Sequence, residues 1–164
     1  MKTDTQIMNE AAILQGCLHI LSDEDSKAQK ALLLDMYKDI ACLCDKHELV
    51  YMMGGGTCLG AVRHKGYIPW DDDLDIIMPR GSYEKLIKLL AEGALGEKYE
   101  YDAPNAKKDC KNPFLKVYRK DTLDIEITSE TAPGPKGIFI DVFPMDYAPN
   151  NNFLRKIKGV LSDF

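Results

Sequence analysis

Between residues 24 and 47, apolar side chains return every three or four positions, at Leu33, Met36, Tyr37, Ile40, Leu43 and Cys44. That spacing lines one face of an amphipathic helix, with Ser22 or Asp23 as its cap. "LVYMM" (49–53) then reads as a short strand running into Gly54, Gly55 and Gly56. Thr57 is placed to cap a short helix that ends near Arg63, ahead of Gly66 and Pro69. In "DLDIIM" (73–78) charged and apolar residues alternate as in a strand, and Pro79 closes it. Ser82 is expected to cap a helix over "YEKLIKLLAEG", whose Tyr83, Leu86, Ile87 and Leu90 share one face. Further strands are expected at 114–120, 123–127 and 137–143, separated by turn-forming stretches such as "APGPKG". An order of helix, strand, helix, strand, helix and then strands predicts an α/β (α+β) domain with a mixed β-sheet flanked by helices.

The tail "NNFLRKIKGVLSDF" begins another amphipathic helix, with Phe153, Leu154, Ile157, Val160 and Leu161 on one side and Arg155, Lys156 and Lys158 on the other. Packing against the domain is its expected use. A partner surface in further sequence and a basic helix lying on a membrane are the alternatives. The chain is thus expected to divide into a helical extension (1–23), a central domain (24–148) and the start of a C-terminal helical region (149–164) that is incomplete here.

At 164 residues and 45% hydrophobic content, the chain suffices for one domain with a core. Its net charge of −5 argues against a general nucleic-acid binder, whose affinity rests on clustered Lys and Arg. The five cysteines, Cys17, Cys42, Cys44, Cys58 and Cys110, form no CxxC pair and are expected to be reduced and mostly buried. Neither a signal-peptide apolar core nor a run of about 20 apolar residues is present, so a cytoplasmic location is expected, with the inner face of the membrane as the site of any peripheral contact.

The chemistry concentrates in "GGGTCLGAVRHKGYIPWDDDLDIIMPR" (54–80). In a strand Asp71, Asp73 and Asp75 would share a face, where like charges repel unless a cation intervenes. An isolated triplet of this kind reads as a solvated rim. The apolar context "LDIIM" makes that solvation costly and favours a hard divalent cation held by carboxylate oxygens. An EF-hand is excluded because Ile76 and Ser82 stand where glycine and glutamate are required. The glycine run lacks the G-K-[ST] of a P-loop, and it does not fit the dinucleotide fingerprint. What remains is a glycine turn opening a helix N-terminus, a place where backbone N–H groups and the helix dipole favour a phosphate. A ligand-free tight turn is the simpler alternative for the glycines taken alone.

These blocks, together with "GIFIDVFPMD" (137–146), closely resemble the LicD family, which lies within a larger group that includes fukutin-like proteins and belongs to the nucleotidyltransferase-fold superfamily. The resemblance spans roughly residues 30–148. It implies a nucleotidyltransferase-like fold, a phosphate turn at Gly55 and Gly56, and Mg²⁺ or Mn²⁺ held by Asp73, Asp75 and a third acid, Asp141. Asp141 lies between Ile140 and Val142 in an apolar strand, where an uncompensated carboxylate would be costly. Asp124, Glu126 and Asp146 are the weaker candidates. Gly54 stands where family members often carry serine, and the chain is short for the family, so part of the acceptor site is expected to be missing.

The resemblance further implies transfer of phosphorylcholine, or a similar alcohol phosphate, from a CDP-linked donor to a sugar hydroxyl of a glycan or lipid-linked glycan such as lipopolysaccharide or teichoic acid. Asp141 or Asp72 could accept the hydroxyl proton. Thr57, Arg63, His64 and Lys65 are the candidates for donor phosphates, and Trp70 and Tyr67 for the base or the choline ammonium. The basic residues could equally complement the dipole at a helix C-terminus, and Trp70 read alone is a core residue. Lys116 and Arg119, on a strand that could neighbour Asp141, are weaker candidates whose simpler reading is surface charge. A DxD-type glycosyltransferase and a non-catalytic nucleotide-binding module are the competing readings.

Overall fold

The computed structural model describes residues 21–104, 106, 112–124 and 134–162. Helix α1 (Asp23–Lys46) is capped by Ser22, whose hydroxyl accepts from the N–H of Asp25, and Asp23, Glu24 and Asp25 complement the dipole of its first turn. The predicted stripe is its buried face: Leu33, Met36, Ile40, Leu43 and Cys44 are inside, with Tyr37 half-buried. The strand expected at 49–53 is confined to β1 (Met52–Met53), and α2 (Gly55–Arg63) follows at once. Next come β2 (Asp75–Pro79), α3 (Arg80–Ala91), β3 (Tyr99–Asp102), β4 (Leu115–Arg119), β5 (Phe139–Met145) and α4 (Asn152–Ser162).

The five strands form one mixed sheet in the order β1-β2-β5-β4-β3, in which only β2 and β5 run parallel. Alternation divides its residues between two faces. Ile76, Met78, Leu115, Val117, Ile140 and Val142 point to one side and join α1 and α3 in a single core. Burying that many aliphatic side chains, at roughly 1.5–3 kcal/mol each, is the main force holding the sheet under its helices. The opposite face carries Asp75, Asp141 and Lys116, which become the candidate site.

Several sequence expectations need correction. Ser82 does not cap α3: the helix starts at Arg80 with Pro79 as the capping residue, and the Ser82 hydroxyl instead accepts from the N–H of Val50. Strand β3 was not expected, because "YEYD" is short and half polar. It is held by β4 on one edge and by the Tyr99 hydroxyl, which donates to Asp39 of α1 at 2.6 Å. The strand expected at 123–127 falls largely outside the described residues, as do Cys17 and Cys110. Of the other cysteines Cys44 is buried, whereas Cys42 and Cys58 are exposed, contrary to expectation.

The tail does form a helix, but Phe153, Leu154 and Ile157 are exposed, Phe153 to 70%, so the expected packing of this face on the domain is not found among the described residues. No helix of the described residues is long and apolar enough to cross a membrane.

Candidate active site

The glycine turn does what the sequence requires of it. Gly54 is extended (φ −106°, ψ 174°) and is the capping residue of α2, its N–H donating to the carbonyl of Asp75 and its carbonyl accepting from Cys58. Gly55 then takes φ +44°, a left-handed value that costs a residue with a Cβ roughly 1–2 kcal/mol. The approach is also close. A Cβ on Gly55 would lie 2.6 Å from Oδ2 of Asp75, and one on Gly56 would lie 2.5 Å from Oδ2 of Asp71. The first turn of α2 contains no acidic residue of its own, and two carboxylates from the following segment stand beside it. Thr57 is not the cap. Its hydroxyl accepts from the N–H of Asp75 at 2.8 Å, tying the helix to the start of β2, and it keeps its own O–H to donate.

Asp75 opens β2 and is paired in register with Asp141 of β5, so the two carboxylates project from one face of adjacent parallel strands about 4.8 Å apart. The N–H of Asp141 also donates to the carbonyl of Leu74. Asp73 lies ahead of the strand in an irregular stretch and is exposed. Its pKa is nevertheless pushed up to about 6, first by desolvation and then by Asp75, Asp71 and Asp72. Asp75 is raised as well, by desolvation and by Asp71, while Lys116 pulls it back. Both shifts describe negative charge gathered with too little compensation, the condition that a divalent cation reverses.

The donors gathered here are all carboxylate oxygens, the set that Mg²⁺ and Mn²⁺ prefer, and in that respect the residues fit the expected ion. Among the described residues, however, no three acidic, histidine or cysteine side chains converge closely enough to hold a metal. Asp75 and Asp141 are the adjacent pair, and Asp73 is the neighbour that would have to move in. Of the weaker third-acid candidates, Asp146 is exposed and pairs with Arg80, Asp124 precedes the undescribed segment, and Glu126 lies outside the described residues.

Lys116, a weaker candidate whose simpler reading was surface charge, is only 5% exposed, and the register places it opposite Asp141 on one side and Asp102 on the other. Its Nζ is 3.4 Å from Oδ1 of Asp141 and 3.6 Å from the centroid of the Phe139 ring. The signal lay in the pattern: "FLKVY" places Lys116 between Leu115 and Val117, the same context in which Asp141 was judged to need compensation. Each is part of the other's answer. Arg119 is half-buried at the strand end and pairs with Asp121.

Beyond α2, Arg63, His64 and Lys65 are all exposed at its C-terminal end, and the Arg63 Nε–H donates to Nδ1 of His64 at 3.3 Å. Trp70 is 78% exposed, not a core residue, and meets His64 edge to face with ring centroids 6.3 Å apart. Tyr67 is half-buried. Its hydroxyl finds no hydrogen-bond partner among the described residues, and burial with the nearby Asp73 pushes its pKa to about 12. Lys30 of α1 secures this loop by donating to the carbonyl of Pro69 at 2.8 Å.

Residues 48–158 match the family described as LicD/FKTN/FKRP, nucleotidyltransferase domain. The chain is 31% identical over 125 residues to the lipopolysaccharide cholinephosphotransferase LicD of Haemophilus influenzae, a match covering 76% of this chain and 45% of that protein. It is 38% identical over 105 residues to an uncharacterised protein of Rickettsia prowazekii, covering 60% of this chain and 39% of that one. The chain thus spans less than half the length of these relatives. With the glycine turn, the Asp75 and Asp141 pair and the mixed sheet all inside the matched range, the chain belongs to the LicD family of nucleotidyltransferase-fold domains.

Proposed function

We propose that this chain is the donor-binding part of a metal-dependent transferase that moves phosphorylcholine, or a similar alcohol phosphate, from a CDP-linked donor to a sugar hydroxyl of a cell-surface glycan such as lipopolysaccharide or teichoic acid. The observation that carries this reading is the juxtaposition of the α2 N-terminus with the Asp75 and Asp141 pair. Positive backbone dipoles and acidic side chains side by side suit a diphosphate bridged to a cation better than they suit either ligand alone. The name of the Haemophilus relative supports the phosphorylcholine class.

In this reading Asp75 and Asp141, with Asp73 beside them, would hold Mg²⁺ or Mn²⁺, which would supply positive charge against the donor diphosphate and the CMP leaving group. The N–H groups of the first turn of α2 take phosphate oxygens, and the Thr57 hydroxyl can donate a further bond. Arg63 and Lys65 offer cationic groups to the outer phosphate, and His64 can offer its Nε2–H. Trp70 presents an uncovered indole face to the cytosine or the choline ammonium. Asp72, exposed and outside the strand row, is better placed than Asp141 to take the proton of the attacking hydroxyl, because Asp141 is already engaged by Lys116. A lipid-linked acceptor would bring the reaction to the inner face of the membrane, where the basic, apolar α4 could make peripheral contact.

The test is a thermal-shift series with CDP-choline, CDP-ethanolamine, CDP-ribitol and UDP-sugars, each with and without Mg²⁺, since a ligand of the native state raises the apparent stability. A shift with a CDP-alcohol that requires Mg²⁺ and disappears in Asp75→Asn is expected. Tight, metal-independent binding by Asp75→Asn would contradict the reading, and a response to UDP-sugars alone would favour a glycosyltransferase.

A further inference from the structure

Four charged residues cross the sheet in one row. The strand registers place Asp75 opposite Asp141, Asp141 opposite Lys116, and Lys116 opposite Asp102, all on the face away from α1 and α3. The row alternates in sign only at Lys116. Its ammonium is buried, lies over the Phe139 ring and is 3.4 Å from Oδ1 of Asp141. Asp102, only 6% exposed, is held in turn by the side-chain amide of Asn112, which donates to its Oδ2 at 2.8 Å. This lysine has little freedom to leave.

We propose that Lys116 is a positioning residue that acts through Asp141: as a resident cation it compensates that carboxylate in the metal-free site, so that the divalent ion arrives with the donor diphosphate and not ahead of it. The inference rests on the metal-dependent reading above. A fixed positive charge on Asp141 repels a divalent ion that approaches the Asp75 and Asp141 pair, and inside a protein that repulsion is far stronger than in water. The same charge satisfies Asp141 while no metal is present, so the strand pair needs no ion to stay intact. A diphosphate reverses the balance because it adds negative charge on the open side of the site. Held over the Phe139 ring, the ammonium is confined beside Asp141.

Mn²⁺ binding, read from the spectrum of the free aqueous ion by electron paramagnetic resonance, tests this without any catalytic assay. For the native chain, the dissociation constant for Mn²⁺ should fall at least tenfold when CDP-choline is added. Lys116→Met should bind Mn²⁺ at least tenfold more tightly than the native chain in the absence of donor, and CDP-choline should then add little. Lys116→Arg, which keeps the charge, should behave as the native chain does. Lys116→Gln, which removes the charge and keeps a polar side chain, should behave as Lys116→Met does. If Lys116→Met proves unfolded by circular dichroism, Lys116→Gln decides: donor-free Mn²⁺ binding no tighter than that of the native chain overturns the inference. Donor-free Mn²⁺ affinity in a folded Lys116→Met no greater than that of the native chain also overturns it, while donor-dependent Mn²⁺ binding by the native chain would leave the proposed function standing. Absence of Mn²⁺ binding in every protein, with and without CDP-choline, removes the metal-dependent reading and this inference together.

Discussion

The hydroxyl of Thr57 accepts the backbone N–H of Asp75 at 2.8 Å, and with the bond from the N–H of Gly54 to the carbonyl of Asp75 it joins the helix that would bind phosphate to the strand that would bind metal. Removing it leaves a partly buried N–H without its acceptor, at a cost of about 1–3 kcal/mol. Thr57→Ala should therefore lower the stability measured by denaturant unfolding by that amount and weaken Mg²⁺-dependent CDP-choline binding. Thr57→Ser, which restores the acceptor, should recover most of both. Equal loss in the serine and alanine variants would assign the effect to the threonine methyl group.

Gly55 combines a left-handed backbone with a carboxylate 2.6 Å from where its Cβ would stand. Gly55→Ala should cost about 1–2 kcal/mol for the conformation alone and should push Asp75 out of register with the turn. Calorimetric titration with Mg²⁺ and CDP-choline should show donor affinity falling more than the stability loss explains. A variant destabilised as expected but with an unchanged dissociation constant would make the turn purely structural.

The pKa of Asp73 is raised to about 6, mainly by desolvation and by the neighbouring aspartates, so the folded protein holds this proton more tightly than the unfolded chain does. For a raised acid the contribution to stability is fully present below the unfolded value near 4 and is lost as pH climbs through about 6. Metal binding needs the opposite state. In the absence of metal, Asp73→Asn should therefore lose the part of the stability decline that lies between pH 4 and 6. In the native chain, Mg²⁺-dependent donor binding should fall away as pH drops below about 6. Thermal-shift profiles across that range, with and without Mg²⁺, check both signs, and an Asp73→Asn profile identical to the native one would remove Asp73 from the site.

Trp70 is 78% exposed, so Trp70→Ala removes little packing and should leave stability within about 0.5 kcal/mol. If the indole covers the donor base or the ammonium, CDP-choline affinity should fall by about tenfold, a loss on the scale of one stacking or cation–π contact. Comparing CDP-choline with CMP separates the two partners. A loss for both places the base on Trp70, and a loss for CDP-choline alone places the ammonium there. Unchanged affinity for both would make the exposed indole irrelevant to the donor.

Local patterning determined much of this protein. The stripe from Leu33 to Cys44 could bury only as a helix, "DLDIIM" could hide Ile76 and Met78 only as a strand, and three consecutive glycines before a helix allowed a turn that no side chain could enter. The family blocks were legible for the same reason, since short motifs record what a few adjacent residues must do. What depended on residues distant in the chain was not legible. Thr57 serves Asp75 instead of its own helix because β2 returns alongside α2, and Ser82 serves Val50 for the same kind of reason.

Trp70 is exposed, and so are Phe153, Leu154 and Ile157 of α4, because a hydrophobic residue reveals its preference for burial and not whether a neighbour arrives to bury it. The pairing of Asp75 with Asp141, and of Asp141 with a buried Lys116, belongs wholly to the tertiary structure. Each sequence segment showed a charge in an apolar strand and so an energetic debt. Only the strand order β2-β5-β4 decided that these charges would meet: alternation within each strand sets which face a charge takes, but not which strand becomes its neighbour about 5 Å away.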